Sequence, residues 1–115
     1  MDRDTLYLLE PGFADPAYPG KIFYCWHCAL MEGVLASFPE LTKGLVVRRI
    51  PFARPRKEIV DLIGAENDSL PLLVLASNAP PGITAERRGT VRYVQDKDAI
   101  LDMLSRRHGF PIPHP

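Results

Sequence analysis

Two residues of this 115-residue chain carry a nucleophilic sulfur, and they stand three positions apart: Cys25 and Cys28, in the stretch YCWHCALMEG, residues 24–33. The pair lies where a helix-like pattern begins. A cysteine at a helix start faces unpaired backbone N–H groups and the positive end of the helix dipole, and both favour thiolate over thiol. Cys28, one turn later, falls on the same side, close enough to resolve a mixed disulfide formed on Cys25. His27 adds positive charge beside Cys25 when protonated. Trp26 offers an apolar face to a bound peptide or tripeptide, and Tyr24 joins it in the substrate-binding set. The redox reading therefore rests on Cys25, Cys28 and His27. Three others stand beside it: two core cysteines, a scaffold that keeps the motif without turnover, and a zinc site completed by His108 and His114. For zinc, the 79 residues between Cys28 and His108 far exceed the roughly 12–15 of a finger, so no metal is expected.

The elements that must position these residues can be read from periodicity and punctuation. TLYLL (5–9) is short and apolar and is stopped by Glu10-Pro11-Gly12, as a buried strand is. Residues 10–24 form a long loop with three prolines and two glycines. Its aromatics Phe13, Tyr18, Phe23 and Tyr24 are expected to pack it down over the cysteine pair. From Trp26 onward Leu30, Val34, Phe38 and Leu41 recur at helical spacing as one apolar face, with Pro39 ending or kinking the helix. Glu32 and Gly33 lie in that helix; Gly33 is expected to allow close packing, and Glu32 has no assigned chemistry. LVVRRI (45–50) reads as a second strand. RPRKEIVDLIG (54–64) reads as a helix with Pro55 at its first position and Gly64 as its stop. LPLLVLA (70–76) is a third strand with Pro71 where it starts, SNAPPGITAERRG (77–89) a polar loop, and TVRYV (90–94) a fourth strand. DKDAILDMLSRRHG (96–109) is a helix capped by Asp96, with Arg106, Arg107 and His108 in its last turn and Gly109 after it.

The order strand-helix-strand-helix-strand-strand-helix implies an α/β fold. It closes as a mixed four-stranded sheet with helices on both faces, a parallel crossover first and an antiparallel pair last. One domain, residues 1–115, accounts for the length. Fourteen basic and fourteen acidic residues cancel, which argues against a nucleic-acid or anionic-membrane partner. No run approaches the ~20 apolar residues of a membrane span, and MDRDTLYLLEPG does not read as a signal peptide. A cytoplasmic location follows as the expectation.

The element order, the C-x-x-C opening the first helix and the Leu70-Pro71 pair together resemble the thioredoxin-like superfamily over essentially the whole chain. More narrowly, EPGFADPAYPG, FYCWHCALMEG and SLPLLVL resemble a small, uncharacterised bacterial domain-of-unknown-function family with a thioredoxin-like fold. The superfamily resemblance implies that Pro71 is cis and lies against the cysteine pair. It also implies that the backbone of Leu70 pairs with a substrate peptide. Thioredoxin has Gly-Pro between its cysteines where this chain has Trp26-His27. Its strand feeding the motif carries a buried aspartate, whereas TLYLL has no acid and the nearest candidate is Glu10, outside the strand.

The expected function is a thiol–disulfide oxidoreductase acting on protein or glutathione disulfides without a cofactor. The alternative is a non-catalytic binding module whose 10–24 loop covers the pair. Burial separates the two: an open Cys25 sulfur favours the enzyme, one sealed under Tyr18, Phe23 or Tyr24 favours the module. Asp96 and Asp98 are candidates for the γ-glutamyl end of glutathione, though capping alone explains both. The basic run 43–57, the acidic run 58–68, and the pairs Arg87-Arg88 and Arg106-Arg107 read as solvated faces.

Overall fold

In the computed structural model, which describes residues 2–115, the strand β1 (Thr5–Leu9) is buried at every position. It must be, because it lies inside an open mixed sheet of order β2-β1-β3-β5-β4. The neighbour β2 (Val46–Ile50) runs parallel to it, Thr5 opposite Val46 and Leu9 opposite Ile50. On the other side β3 (Leu72–Val74) runs antiparallel, Leu6 opposite Leu73. Then β5 (Val91–Val94) pairs with β3, and the outer strand β4 (Glu86–Arg88) pairs with β5, both antiparallel.

Alternation along β1 divides the core in two. Leu6 and Leu8 face the helices α1 (Trp26–Ser37) and α4 (Lys97–His108), meeting Cys28, Met31, Leu35, Ile100 and Leu104. Tyr7 faces the other way and packs with Ile59 and Ile63 of α3 (Lys57–Ile63). Helices thus cover both faces, as the sequence implies. A short helix, α2 (Pro39–Thr42), follows α1 directly, with Pro39 in its first turn, and a single 3-10 turn (Ala65–Asn67) follows α3. No helix among the described residues is long and apolar enough to cross a membrane.

The sheet has five strands where the sequence suggests four. Glu86, Arg87 and Arg88 are all exposed, so the strand they form shows no apolar alternation. It is held by its hairpin with β5, turned at Gly89 (φ +59°), and it is a charged edge of the kind that resists further pairing. The helix expected from Pro55 begins instead at Lys57, with Arg56 as its cap residue and a cis Arg54-Pro55 bond before it. The Arg56 side chain is turned inward rather than along the helix surface, which fixes the chain ahead of α3.

The buried face of α1 is also different. Cys28, Met31 and Leu35 point into the core, whereas Leu30 is exposed and Val34 half-buried. This helix is apolar on two sides. Leu30, Val34 and Phe38 line a shallow groove of about 260 Å³ against Pro111, Ile112 and Pro113 of the tail. Gly33 is exposed, and a side chain there would meet nothing within 4 Å, so it serves no close approach.

The last helix agrees with its sequence signs. Asp96 accepts the Ala99 N–H, and Gly109 takes the left-handed C-cap conformation (φ +76°). Arg107 and His108, however, do not face solvent: both bond Asp4 just before β1. Arg107 makes two bonds to the Asp4 carboxylate at 2.6 and 2.9 Å, His108 Nε2 lies 2.8 Å from it, and the Ala76 N–H donates to it at 2.7 Å. Burial alone would raise the Asp4 carboxyl. The bonds from His108, Arg107 and Ala76 overcome it and hold the group well below the usual carboxylate range. The basic and acidic runs largely neutralise one another through Arg48–Glu58, Arg54–Asp68 and Lys57–Asp61 ion pairs.

Candidate functional site

Cys25 is the N-cap of α1. Its backbone is extended (φ −79°, ψ 117°), and its Sγ accepts the Cys28 N–H at 3.2 Å, a capping role that Ser or Asp usually fills. Its carbonyl accepts the Ala29 N–H at 2.8 Å and so starts the helical ladder. A sulfur in this place receives a backbone N–H, and that bond strengthens when the sulfur is charged. The other close partner of Cys25 is the Leu70 carbonyl, 3.9 Å from the sulfur. The Leu70-Pro71 bond is cis, as expected, and Pro71 is buried behind it.

Cys28 is in a different environment. It is 2 % exposed and packed among the β1 leucines, and its sulfur accepts the Leu9 N–H at 3.4 Å. Burial pushes its thiol up to about 12, the bond to Cys25 and the charges of Cys25 and Glu32 add to the rise, and the Leu9 N–H opposes it. The two cysteines approach within 2.9 Å, and both are free. One sulfur is half-open and the other shielded.

An open groove of about 560 Å³ runs beside the pair, lined by Leu9, Pro11, Tyr24, Cys25, Cys28, Ala29 and Glu32. The 10–24 loop flanks this groove rather than covering the sulfurs. Phe13 and Phe23 bridge each other through paired backbone bonds of 2.9 and 2.7 Å, and Phe13 stacks on Phe52 at 4.3 Å. That folds the loop against the segment after β2. Phe13 and Phe23 are half-buried, but Tyr18 and Tyr24 are largely exposed, so no aromatic seals Cys25. Trp26, 68 % exposed, and Tyr24, 67 % exposed, stand on either side of Cys25 in sequence. His27 is half-buried with its ring against Trp26, centroids 4.9 Å apart.

Three residues of the site have no motif in the sequence. Arg56 is 4 % exposed. Its guanidinium donates twice to the Phe52 carbonyl and once, at 2.9 Å, to that of Asp68, and it lies over the Phe52 ring. Burial draws it below its ordinary value, with the Arg54 charge adding, while Asp68 and the two thiols pull the other way. A buried cation therefore lies within electrostatic reach of both sulfurs. Gln95 donates to the carbonyls of Asn67 and Ser69. Together Arg56 and Gln95 hold the loop that presents Leu70 to Cys25. The third is Glu32, on the groove wall. Neither Arg56 nor Gln95 could be singled out from sequence, because a basic run and a strand-end glutamine look solvated. Glu32 had one signal, its place one turn after Cys28.

Other sequence candidates lie elsewhere. Asp96 lines a separate groove with Gln95 and Tyr93 and is engaged as a helix cap, and Asp98 pairs with Lys97. His108 belongs to the Asp4 cluster, and His114 bonds the Pro115 carbonyl. Among the described residues no group of three or more His, Cys, Asp or Glu side chains is arranged to hold a metal. Glu10 is exposed and lines another groove with Phe13 and Phe52.

A family model described as "Protein of unknown function (DUF3088)" matches residues 3–112. The chain belongs to the DUF3088 family. Neither the curated proteins nor the solved structures contain a match. The span shared with DUF3088 includes the cysteine pair, Glu32, Arg56, Leu70-Pro71 and Gln95.

Proposed function

We propose that this DUF3088 protein is a thiol–disulfide oxidoreductase of thioredoxin-like fold, acting on protein or glutathione disulfides. The observation that carries the reading is the inequality of the two sulfurs. Cys25 opens on a groove and accepts a helix N-terminal N–H, whereas Cys28 is buried with its thiol held up at about 12. A nucleophile must be reached by its substrate, and a resolving thiol must be kept from it. In the forward direction the Cys25 thiolate attacks one substrate sulfur, and the other leaves with the electron pair and takes a proton. Cys28 then attacks Cys25 Sγ, forming the Cys25–Cys28 bond and releasing the second substrate thiol. Two electrons pass from the dithiol to the substrate. His27 modulates the charge beside Cys25, Leu70 with Pro71 forms the platform for the substrate backbone, and Trp26 and Tyr24 flank it. The binding-module alternative requires a sealed Cys25 and has no such support.

The test is titration of the two thiols against glutathione buffers spanning roughly −180 to −320 mV, read by mass-tagging of free thiols. One two-electron transition between dithiol and disulfide, lost in Cys25→Ser, is expected. Thiols that stay reduced across the whole range would remove the proposal.

A further inference from the structure

The groove beside the cysteines holds one carboxylate, Glu32. It stands four residues after Cys28 on α1, hence on the same helix face. Its two oxygens accept from Arg49 Nη2 and Nε of β2 at 2.6 and 2.8 Å. That fork fixes where the carboxylate sits while leaving its side chain 30 % exposed on the groove. The charged or ionisable groups around it are Arg49 from β2, Tyr24 from the loop wall of the groove, the Cys25 thiol at the helix N-cap and the Cys28 thiol on its own helix.

Cys28 has a chemical need that this arrangement meets. Its sulfur is a nucleophile only after losing a proton, and although Cys28 is almost wholly buried it belongs to the lining of the groove that also holds Glu32. We propose that Glu32 is the proton acceptor for Cys28 in the resolving step; the inference rests on the oxidoreductase reading above. From the mixed disulfide, the Cys28 S–H bond breaks and its proton passes through groove solvent to the Glu32 carboxylate. The freed electron pair forms the Cys25–Cys28 bond. The bond between Cys25 and the substrate sulfur breaks, its electron pair leaves with that sulfur, and Glu32 returns the proton to the leaving thiolate or to solvent. Dithiol becomes disulfide, and the substrate disulfide becomes two thiols. Arg49 is a positioning residue that aims the carboxylate.

The sign of one substitution separates this role from a passive charge. The negative charge of Glu32 raises the Cys28 thiol. If that were its whole effect, Glu32→Gln would ease ionisation of Cys28 and speed resolution. A proton acceptor does the reverse. The reduced protein is mixed with 5,5′-dithiobis(2-nitrobenzoate), which yields one thionitrobenzoate when Cys25 attacks and a second when Cys28 resolves. The leaving thionitrobenzoate needs no proton at neutral pH, so the second phase reports the proton of Cys28. In Glu32→Gln the second release is expected to slow on the order of 100-fold, the low end of general-base contributions, with the first not slowed and Glu32→Asp recovering part of the loss. Glu32→Gln keeps a hydrogen bond to Arg49 and removes only a partly exposed ion pair, of small worth to stability. A second phase that is unchanged or faster in folded Glu32→Gln overturns the proposal while leaving the oxidoreductase reading standing. Absence of both phases in the wild type overturns both.

Discussion

Alkylation of the reduced protein should find Cys28 almost inert, and the size of the effect can be worked out. With its thiol near 12, Cys28 is ionised to about 1 part in 10⁴ at pH 8, against about one quarter for a free cysteine of pKa ~8.5. Ionisation alone makes it roughly 2,400-fold slower. A more basic thiolate is also a better nucleophile, and a Brønsted slope near 0.45 over about 3.5 pH units returns roughly 40-fold. The net deficit is about 60-fold before shielding, and burial to 2 % exposure deepens it further. Iodoacetamide labelling followed by peptide mass mapping should therefore place the first adduct on Cys25. The Cys28 rate should climb about tenfold per pH unit from 7 to 10 without a plateau. Urea-unfolded protein should label both residues equally. A Cys28 rate that levels off between pH 8 and 9 in the folded protein, or an adduct appearing first on Cys28, would refute the assignment of roles.

Other expectations concern the supports of the site. Asp4→Asn should destabilise the protein by about 3–5 kcal/mol, because it removes the charge from a buried, fully bonded cluster; urea unfolding measures it. The Asp4 carboxyl is depressed on folding, so its contribution is complete above the unfolded value of ~3.9 and is lost as pH falls below that toward the folded value. The stability of Asp4→Asn should accordingly be flatter with pH in that acid range. Arg56→Met should cost about 1–3 kcal/mol through the stranded carbonyls of Phe52 and Asp68, and in protein still folded it should slow Cys25 alkylation; unchanged alkylation would make Arg56 a clamp alone. Phe13→Ala removes a stacked pair worth about 0.5–1.5 kcal/mol. It should speed tryptic cleavage at Lys21 yet change Cys25 labelling less than about twofold, whereas a loop acting as a lid would give a large increase.

Much of the frame is legible in the sequence because local signals agree there. TLYLL is apolar throughout and stopped by Pro11-Gly12; 96–109 carries a cap, an apolar face, basic residues and a terminal glycine in the right order; the cysteines open a helix. The misses have physical causes. The strand β4 is all charge and exists only by pairing with β5. The helix α1 is apolar on two sides, and packing of Cys28, Met31 and Leu35 against Leu6 and Leu8 of β1 decides which side is the deeper one. Asp4 and Arg56 look like ordinary surface charges, since their partners lie 103 and 12 residues away respectively. Glu32 becomes interesting only once the groove beside Cys28 is seen.

The Asp4–Arg107 contact closes a loop of 103 residues, and this has a bearing on synthesis. The strand β1 is the first of the strands to be made, but two of the three groups that bond Asp4 at its start, Arg107 and His108, are supplied by the last turn of α4. The core that shields Cys28 likewise includes Leu73, Val94, Ile100 and Phe110. At roughly 5–20 residues per second, the 80 residues from Cys28 to His108 take about 4–16 s to appear. During that interval the core that shields Cys28 is incomplete, so the inequality that defines the site is acquired only after α4 has been made. A ribosome-bound chain meeting an oxidant would lack the finished shield around Cys28.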